Sequence, residues 1–160
     1  MTDSLGTLNA ILGEVADLQR AAELIEWDER VYMPPGGAPA HGEMTATIRK
    51  VAHEKFTSAE VGRLLEDAER GLEGRDPDSD DCRLVSVTAR DYRKAIQVPA
   101  EFVGRHAQVV SAAQVAWIEA RSKSDFSIFQ PHLQTVVDLK REYVGFFGHA
   151  AHPYDHLLDD

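Results

Sequence analysis

Apolar side chains recur at steps of three and four along the N-terminal stretch: Leu8, Ile11, Val15, Leu18, Ala22 and Ile25. Such a step puts them on one face of an α-helix, whereas a strand would need a period of two. Trp27 and Val31 extend the same row. The seam is long enough for one helix of a bundle and short for a free-standing coiled coil. The expectation is therefore a long first helix buried along one side. No stretch of the chain alternates with period two for long enough to form a strand. An all-α fold follows, with about six helices in antiparallel hairpins, because the connections are short.

The punctuation of the chain sets the other elements. Pro34, Pro35, Gly36 and Gly37 stop the first helix. A second is expected over Ala38 to Phe56, with Met44, Ile48, Val51, Ala52 and Phe56 as its apolar positions. Thr57 and Glu60 read as a capping box for a third helix carrying Val61, Leu64, Leu65 and Ala68 and fading at Gly71 and Gly74. The run RDPDSDD is a loop whose acids and serine suit a helix start. A fourth helix is expected over Asp80 to Ile96, with Leu84, Thr88, Tyr92 and Ala95 on one face. Pro99 suits the first position of a fifth, in which Phe102, His106, Val109, Ala113, Trp117 and Ala120 keep the spacing. Ser124 to Ser127 breaks it. Ser127 and Gln130, or Pro131 as first residue, open a sixth helix with Leu133, Val136, Val137, Tyr143, Val144 and Phe147 on its apolar face and Gly148 at its end. The remaining HAAHPYDHLLDD reads as an irregular tail with at most one short turn.

Composition bounds the function. The 160 residues fit a single helical domain, 1–160, able to bury a core without a metal or disulfide staple. Formal charge is −10, with 17 acids against 8 bases in residues 1–80 and 10 against 9 in the remainder. An acidic chain with no basic stripe is a poor binder of phosphate backbones, which argues against nucleic acid as a partner. The single cysteine, Cys82, excludes an internal disulfide and any cysteine-rich zinc motif. The first residues lack the pattern of a signal peptide. No apolar run reaches the ~20 residues of a membrane span. A cytoplasmic protein that does not meet the membrane is expected.

Catalytic templates are tested residue by residue. HEKFT, from His53 to Thr57, begins like H-E-x-x-H, in which two histidines four apart grip one zinc and the glutamate serves as base. Thr57 stands where the second histidine belongs, so His53 and Glu54 read as ordinary helix residues. The tail gathers His149, His152 and His156 with Asp155, Asp159 and Asp160, but Pro153 interrupts the helix that would align them. His41, His106 and His132 are isolated, and His106 reads as a hydrogen-bonded core residue. Trp27 and Trp117 read as fillers of helix interfaces. There is no nucleophile elbow, phosphate loop or dinucleotide fingerprint. Cys82 has no evident histidine partner. No catalytic and no metal-binding residue is assigned in this chain.

The run WDERVYMPPGGAPAHGE, Trp27 to Glu43, resembles the carboxypeptidase Taq family of metallocarboxypeptidases, whose members typically read W-D-Q-E-T before a methionine-proline turn with paired glycines. The resemblance continues through Ala52 to Glu69, the DPDSDD loop, Val98 to Phe102, Ala116 to Leu133, LKREYVGFFG and HPYDHLLDD, and so covers nearly all of the chain in order. It implies an almost wholly helical fold, a zinc-dependent release of C-terminal residues from peptides in the full-length enzymes, and commonly a dimer. The family enzymes are much longer, and their H-E-x-x-H helix, later glutamate ligand and carboxylate-binding residues fall downstream of the matched region. The resemblance therefore implies the N-terminal portion of such an enzyme, a wall beside a substrate groove, with no zinc or other cofactor held by this chain. Glu29 and Val31 depart from W-D-Q-E-T, and His41 and Met44 stand where the family carries arginine and glutamine.

Three roles follow. The chain is an enzyme's N-terminal part, inactive alone, whose partner is the catalytic region or a second copy of itself. Alternatively it is a truncated paralogue acting as a helical interaction or dimerisation module, or a small metal binder using the histidine tail. The first role requires an uncovered apolar surface on these helices.

Overall fold

The structure, a computed structural model, describes residues 2–34, 36–148, 150 and 152–158, with side chains from residue 4 onward. Seven helices are present among the described residues, and no strand: α1 (Thr2–Val31), α2 (Ala38–Phe56), α3 (Ala59–Gly71), α4 (Asp80–Ala95), α5 (Ala100–Lys123), α6 (Gln130–Gly145) and a one-turn α7 (Asp155–Leu158). A single 3₁₀ turn, Phe126–Ile128, precedes α6. The all-α architecture read from the apolar spacing is the architecture observed, with the seventh helix being the short turn of the tail.

Cross-helix pairs give the register. Glu14 meets Lys55 at 2.6 Å and Glu26 meets Arg49 at 2.6 Å, so α1 and α2 run antiparallel. Lys50 reaches Glu101 at 3.0 Å, and Gly42 faces Ser111, so α5 runs antiparallel to α2 on its other side. Helix α6 returns along α5, where Glu142 pairs with Arg105. Helix α3 packs on α1, and α4 on α3.

Large apolar side chains close one end of the bundle. Leu8 and Val61 are fully buried, and Leu65, Ala68, Val85 and Ala89 pack around them. A second cluster joins Val98, Phe102 and Leu139, with Tyr143, Phe146 and Phe147 packed against it, Tyr143 stacked on Phe102 and Phe146 edge-on to it. Between these clusters, α2 and α5 touch through small residues. Gly42, Ala46, Gly104 and Ala107 are all buried. A Cβ on Gly104 would lie 3.7 Å from the backbone oxygen of Ala46, so the two helices approach almost backbone to backbone.

Several expectations are corrected. Met44 and Val51 are 45 % and 44 % exposed, because α2 turns Gly42, Thr45, Ala46 and Ala52 inward instead. The extension of the α1 row fails for the same reason of phase. Trp27 and Val31 point outward with Leu24, and Trp117 is likewise exposed. On α4 the buried positions are Val85, Thr88 and Ala89, with Leu84 exposed. On α6 Leu139 is buried, whereas Leu133 and Val137 are exposed. The cap of α3 is Ser58, whose hydroxyl accepts from Val61 N at 3.3 Å. Thr57 still belongs to the end of α2, and its hydroxyl donates to His53 O at 2.8 Å. Pro99 occupies the cap position of α5, one residue before its start. Neither Ser127 nor Gln130 caps α6. Asp125 caps the 3₁₀ turn by accepting from Ser127 N at 3.0 Å, and Pro131 lies in the first turn of α6. That helix ends at Gly145, short of Gly148.

Outward-facing Leu24, Trp27 and Val31 recur at three and four residues and form an apolar stripe on the free side of α1, with the Tyr32 ring edge-on to Trp27 at 5.5 Å. The uncovered apolar surface expected of these helices is therefore present. No helix is long and apolar enough to cross a membrane among the described residues.

Candidate functional site

A concavity opens beside the close contact of α2 with α5. Because Gly42, Ala46, Gly104 and Ala107 carry almost no side chain, longer residues beside them stand as walls. The result is a trough of about 430 Å³. Its floor is α5, with Phe102, Val103 and Val110. The C-terminal end of α1 supplies Glu26, Glu29 and Arg30 on one side, and α6 supplies Lys140 and Tyr143. Helix α2 contributes Thr45 and Arg49.

Polar links fix three of these helices. Arg49 donates through Nε at 3.0 Å and through an Nη at 2.6 Å to Glu26 Oε1. Ser111 donates its hydroxyl to Glu29 Oε1 at 2.8 Å, tying α5 to α1. Both trough carboxylates are thus occupied as acceptors. Thr45 is 3 % exposed, and its Oγ1 has no hydrogen-bond partner among the described residues.

Behind the trough, the proline-glycine turn is clasped by His41. Its Nε2 lies 2.8 Å from Asp28 Oδ2 and its Nδ1 3.3 Å from Gly37 O. Both partners only accept, so the doubly protonated ring satisfies both bonds at once. The hydrogen bond to Asp28 accordingly raises the pKa of His41 above its ordinary 6.5, against an opposing effect of desolvation.

His53 Nε2 donates to Val98 O at 2.7 Å, which ties α2 to the entry of α5 and directs that nitrogen at a carbonyl. His156 Nε2 donates to Gly148 O at 2.9 Å, and its ring stacks on Phe147. His152 Nδ1 accepts from Tyr154 N at 3.1 Å, and Asp155 Oδ2 accepts from His152 N at 2.9 Å. These bonds form the small cap of α7. His149, Asp159 and Asp160 lie outside the described residues. His106 sits against Phe102 on the floor of the trough. His132 stands apart on α6, and Cys82 is half-buried at the start of α4.

No group of three or more histidine, cysteine, aspartate or glutamate side chains that could hold a metal ion occurs among the described residues. Among the described residues, therefore, none forms a set that fits the zinc the family resemblance implies. What the trough offers chemically is recognition: an apolar floor, a buried hydroxyl, and three cations (Arg30, Arg49 and Lys140) against two carboxylates. Thr45, Arg49 and Ser111 were not singled out by apolar spacing, because they are polar residues on a buried helix face. The spacing of small residues, Gly42 with Ala46 and Gly104 with Ala107 and Ser111, marks that face.

Comparison with known proteins places the same helices in longer chains. A family model for carboxypeptidase Taq (M32) metallopeptidase matches residues 7–160. Carboxypeptidase 1 of Bacillus subtilis (strain 168) is 28 % identical over 150 residues, which cover 93 % of this chain and 29 % of that protein. Thermostable carboxypeptidase 1 of Pyrococcus furiosus is 32 % identical over 139 residues, covering 87 % of this chain and 27 % of the relative. A crystal structure of BsuCP superposes with a TM-score of 0.91 at 24 % identity over 98 % of this chain and 31 % of that one, a likeness of fold. A structure of Pyrococcus furiosus carboxypeptidase gives a TM-score of 0.75 at 29 % identity, over 99 % and 31 %. The chain thus spans less than a third of the length of the relatives it matches.

Proposed function

The chain belongs to the carboxypeptidase Taq (M32) metallopeptidase family, and from that membership we propose that it is the N-terminal helical portion of a metal-dependent carboxypeptidase, inactive by itself. The whole protein would release C-terminal residues from peptides, with a zinc-activated water and a glutamate base supplied by the region that these residues lack. Residues 1–160 act as one helical domain that forms a wall beside the substrate groove. The carrying observation is coverage: nearly all of this chain is matched, yet it accounts for only 29 % of the Bacillus subtilis relative. The natural partner is the catalytic region, and the compartment is the cytoplasm.

A carboxypeptidase assay tests this reading. The purified chain, supplied with zinc and a blocked dipeptide or longer peptide, releases no C-terminal residue above the metal-only blank. Release that depends on metal and disappears when one side chain of this polypeptide is changed would overturn it.

A second reading, a stand-alone dimerisation module, draws support from the apolar stripe of Leu24, Trp27 and Val31 and from the altered positions Val31 and His41. Light scattering of the purified chain across a concentration series separates the two. A dimer that persists at micromolar concentration and is lost in Trp27→Glu favours the module, and a monomer throughout removes it.

A further inference from the structure

We propose that the trough between α1, α2, α5 and α6 is the seat for the catalytic region of a family carboxypeptidase, which inserts an apolar side chain onto the α5 floor and presents a carboxylate to the cations on the walls. This rests on the reading of the chain as the N-terminal portion of such an enzyme. It adds where the two portions meet and by what chemistry.

Four observations converge on this surface. Three separate stretches that carry the family resemblance deliver residues to it: Trp27 to Glu43 brings Glu29 and Arg30, Val98 to Phe102 brings its first and last residues, and Leu139 to Gly148 brings Lys140 and Tyr143. A buried hydroxyl with no protein partner is rare in a finished interior, because it has given up water without replacement. Thr45 Oγ1 is such a group, 3 % exposed and lining the trough. Third, neither Arg30 nor Lys140 has a carboxylate partner among the described residues, although the chain as a whole is strongly acidic. Arg30, Arg49 and Lys140 against Glu26 and Glu29 leave one net positive charge, 3 − 2, at this spot. An acidic segment complements it. Finally, more than two thirds of the length of the matched relatives lies outside the aligned region, so a covering polypeptide of the right family is available. The outward stripe on α1 lacks the first three of these features. It asks only to be covered, by anything apolar.

The test uses the whole chain in two settings. Val110 lines the trough and is 42 % exposed, whereas Val87 lies on α4 and is 54 % exposed. In a Cys82→Ser background, Val110→Cys and Val87→Cys each place one thiol at a known site. Alkylation rates are measured by peptide mass spectrometry in the free chain, and in a fusion where residues 1–160 replace the matched region of Bacillus subtilis carboxypeptidase 1. The expected result is that the thiol at position 110 reacts roughly tenfold or more slowly in the fusion, while that at position 87 keeps its rate. Equal rates at position 110 in the two settings, or equal slowing at both positions, overturn the seat. Slowing at position 110 in the free chain as its concentration rises, without slowing in the fusion, assigns the seat to a second copy and also overturns the proposal.

Zinc-dependent activity of the same fusion is read separately. An active fusion with an open trough removes the seat and leaves the enzyme reading standing. A protected trough in an inactive fusion supports the seat and counts against the enzyme reading. A second variant guards against a fold defect: Val110→Glu leaves the free chain's thermal midpoint unchanged and lowers that of the fusion. A fusion that does not fold with the unaltered trough counts against the seat as well, since acceptance of that region is what the proposal asserts.

Discussion

The end where α3 and α4 close over α1 and the side where α5 lies against α2 are built on opposite plans. At the closed end, large apolar residues interdigitate, and Leu8 and Val61 lose all contact with solvent. On the open side, α2 and α5 meet through glycine and alanine, polar links such as Ser111 to Glu29 cross between α5 and α1, and a trough remains. The first plan is self-sufficient, because apolar area removed from water stabilises it directly. The second leaves a buried hydroxyl, Thr45 Oγ1, with no hydrogen-bond partner among the described residues. A region that resembles a domain core and a region that resembles half of an interface therefore share one chain.

The largest effect should come from the closed end. Leu65→Ala, at 3 % exposure, is expected to cost about 2–5 kcal/mol in urea unfolding, since little can collapse into the space left. A cost near that of an exposed-site control would mean that the closed end is not the stabilising core. Next comes the contact of α2 and α5. Gly104→Leu should cost about 1–3 kcal/mol by forcing the helices apart. Gly104→Ala should be neutral or slightly stabilising, because its Cβ would sit at an ordinary 3.7 Å from Ala46 O. If leucine were tolerated as well as alanine, the account of close approach would fail.

A smaller effect sharpens the boundary between α3 and α4. A Cβ on Gly62 would lie 2.6 Å from the Tyr92 hydroxyl, which itself donates to Ser58 O at 3.3 Å. Gly62→Ala should therefore cost about 1 kcal/mol, and less in a Tyr92→Phe background. A double-mutant cycle with no coupling would show that the ring is free to move aside.

The smallest effect belongs to the turn behind the trough. Because Asp28 raises the pKa of His41 in the folded chain, their bond stabilises the fold fully below the unfolded value of about 6.5. That contribution disappears as pH rises through the higher folded value. An NMR titration of the His41 ring should give a midpoint above 6.5 in the parent chain, moving down towards it in Asp28→Asn. An unchanged midpoint in that variant would remove Asp28 as the cause.

Apolar spacing at three and four was enough to determine the helical class and the row of Leu8, Val15 and Ala22 in α1, since burial of a large side chain leaves a periodic trace in the sequence, and the proline-glycine run marked where α2 begins. The absence of a second histidine at Thr57 was equally plain, because ligand spacing on a helix is a local property. The face that α2 presents to α5 was decided only by tertiary structure. Glycine, alanine and threonine leave no apolar signature, so Met44 and Val51 gave the stronger and misleading signal, and Thr45 with Arg49 passed as surface. Where two helices approach through small residues, the energy lies in backbone proximity and in polar pairs between distant segments. Both exist only once the chain has folded.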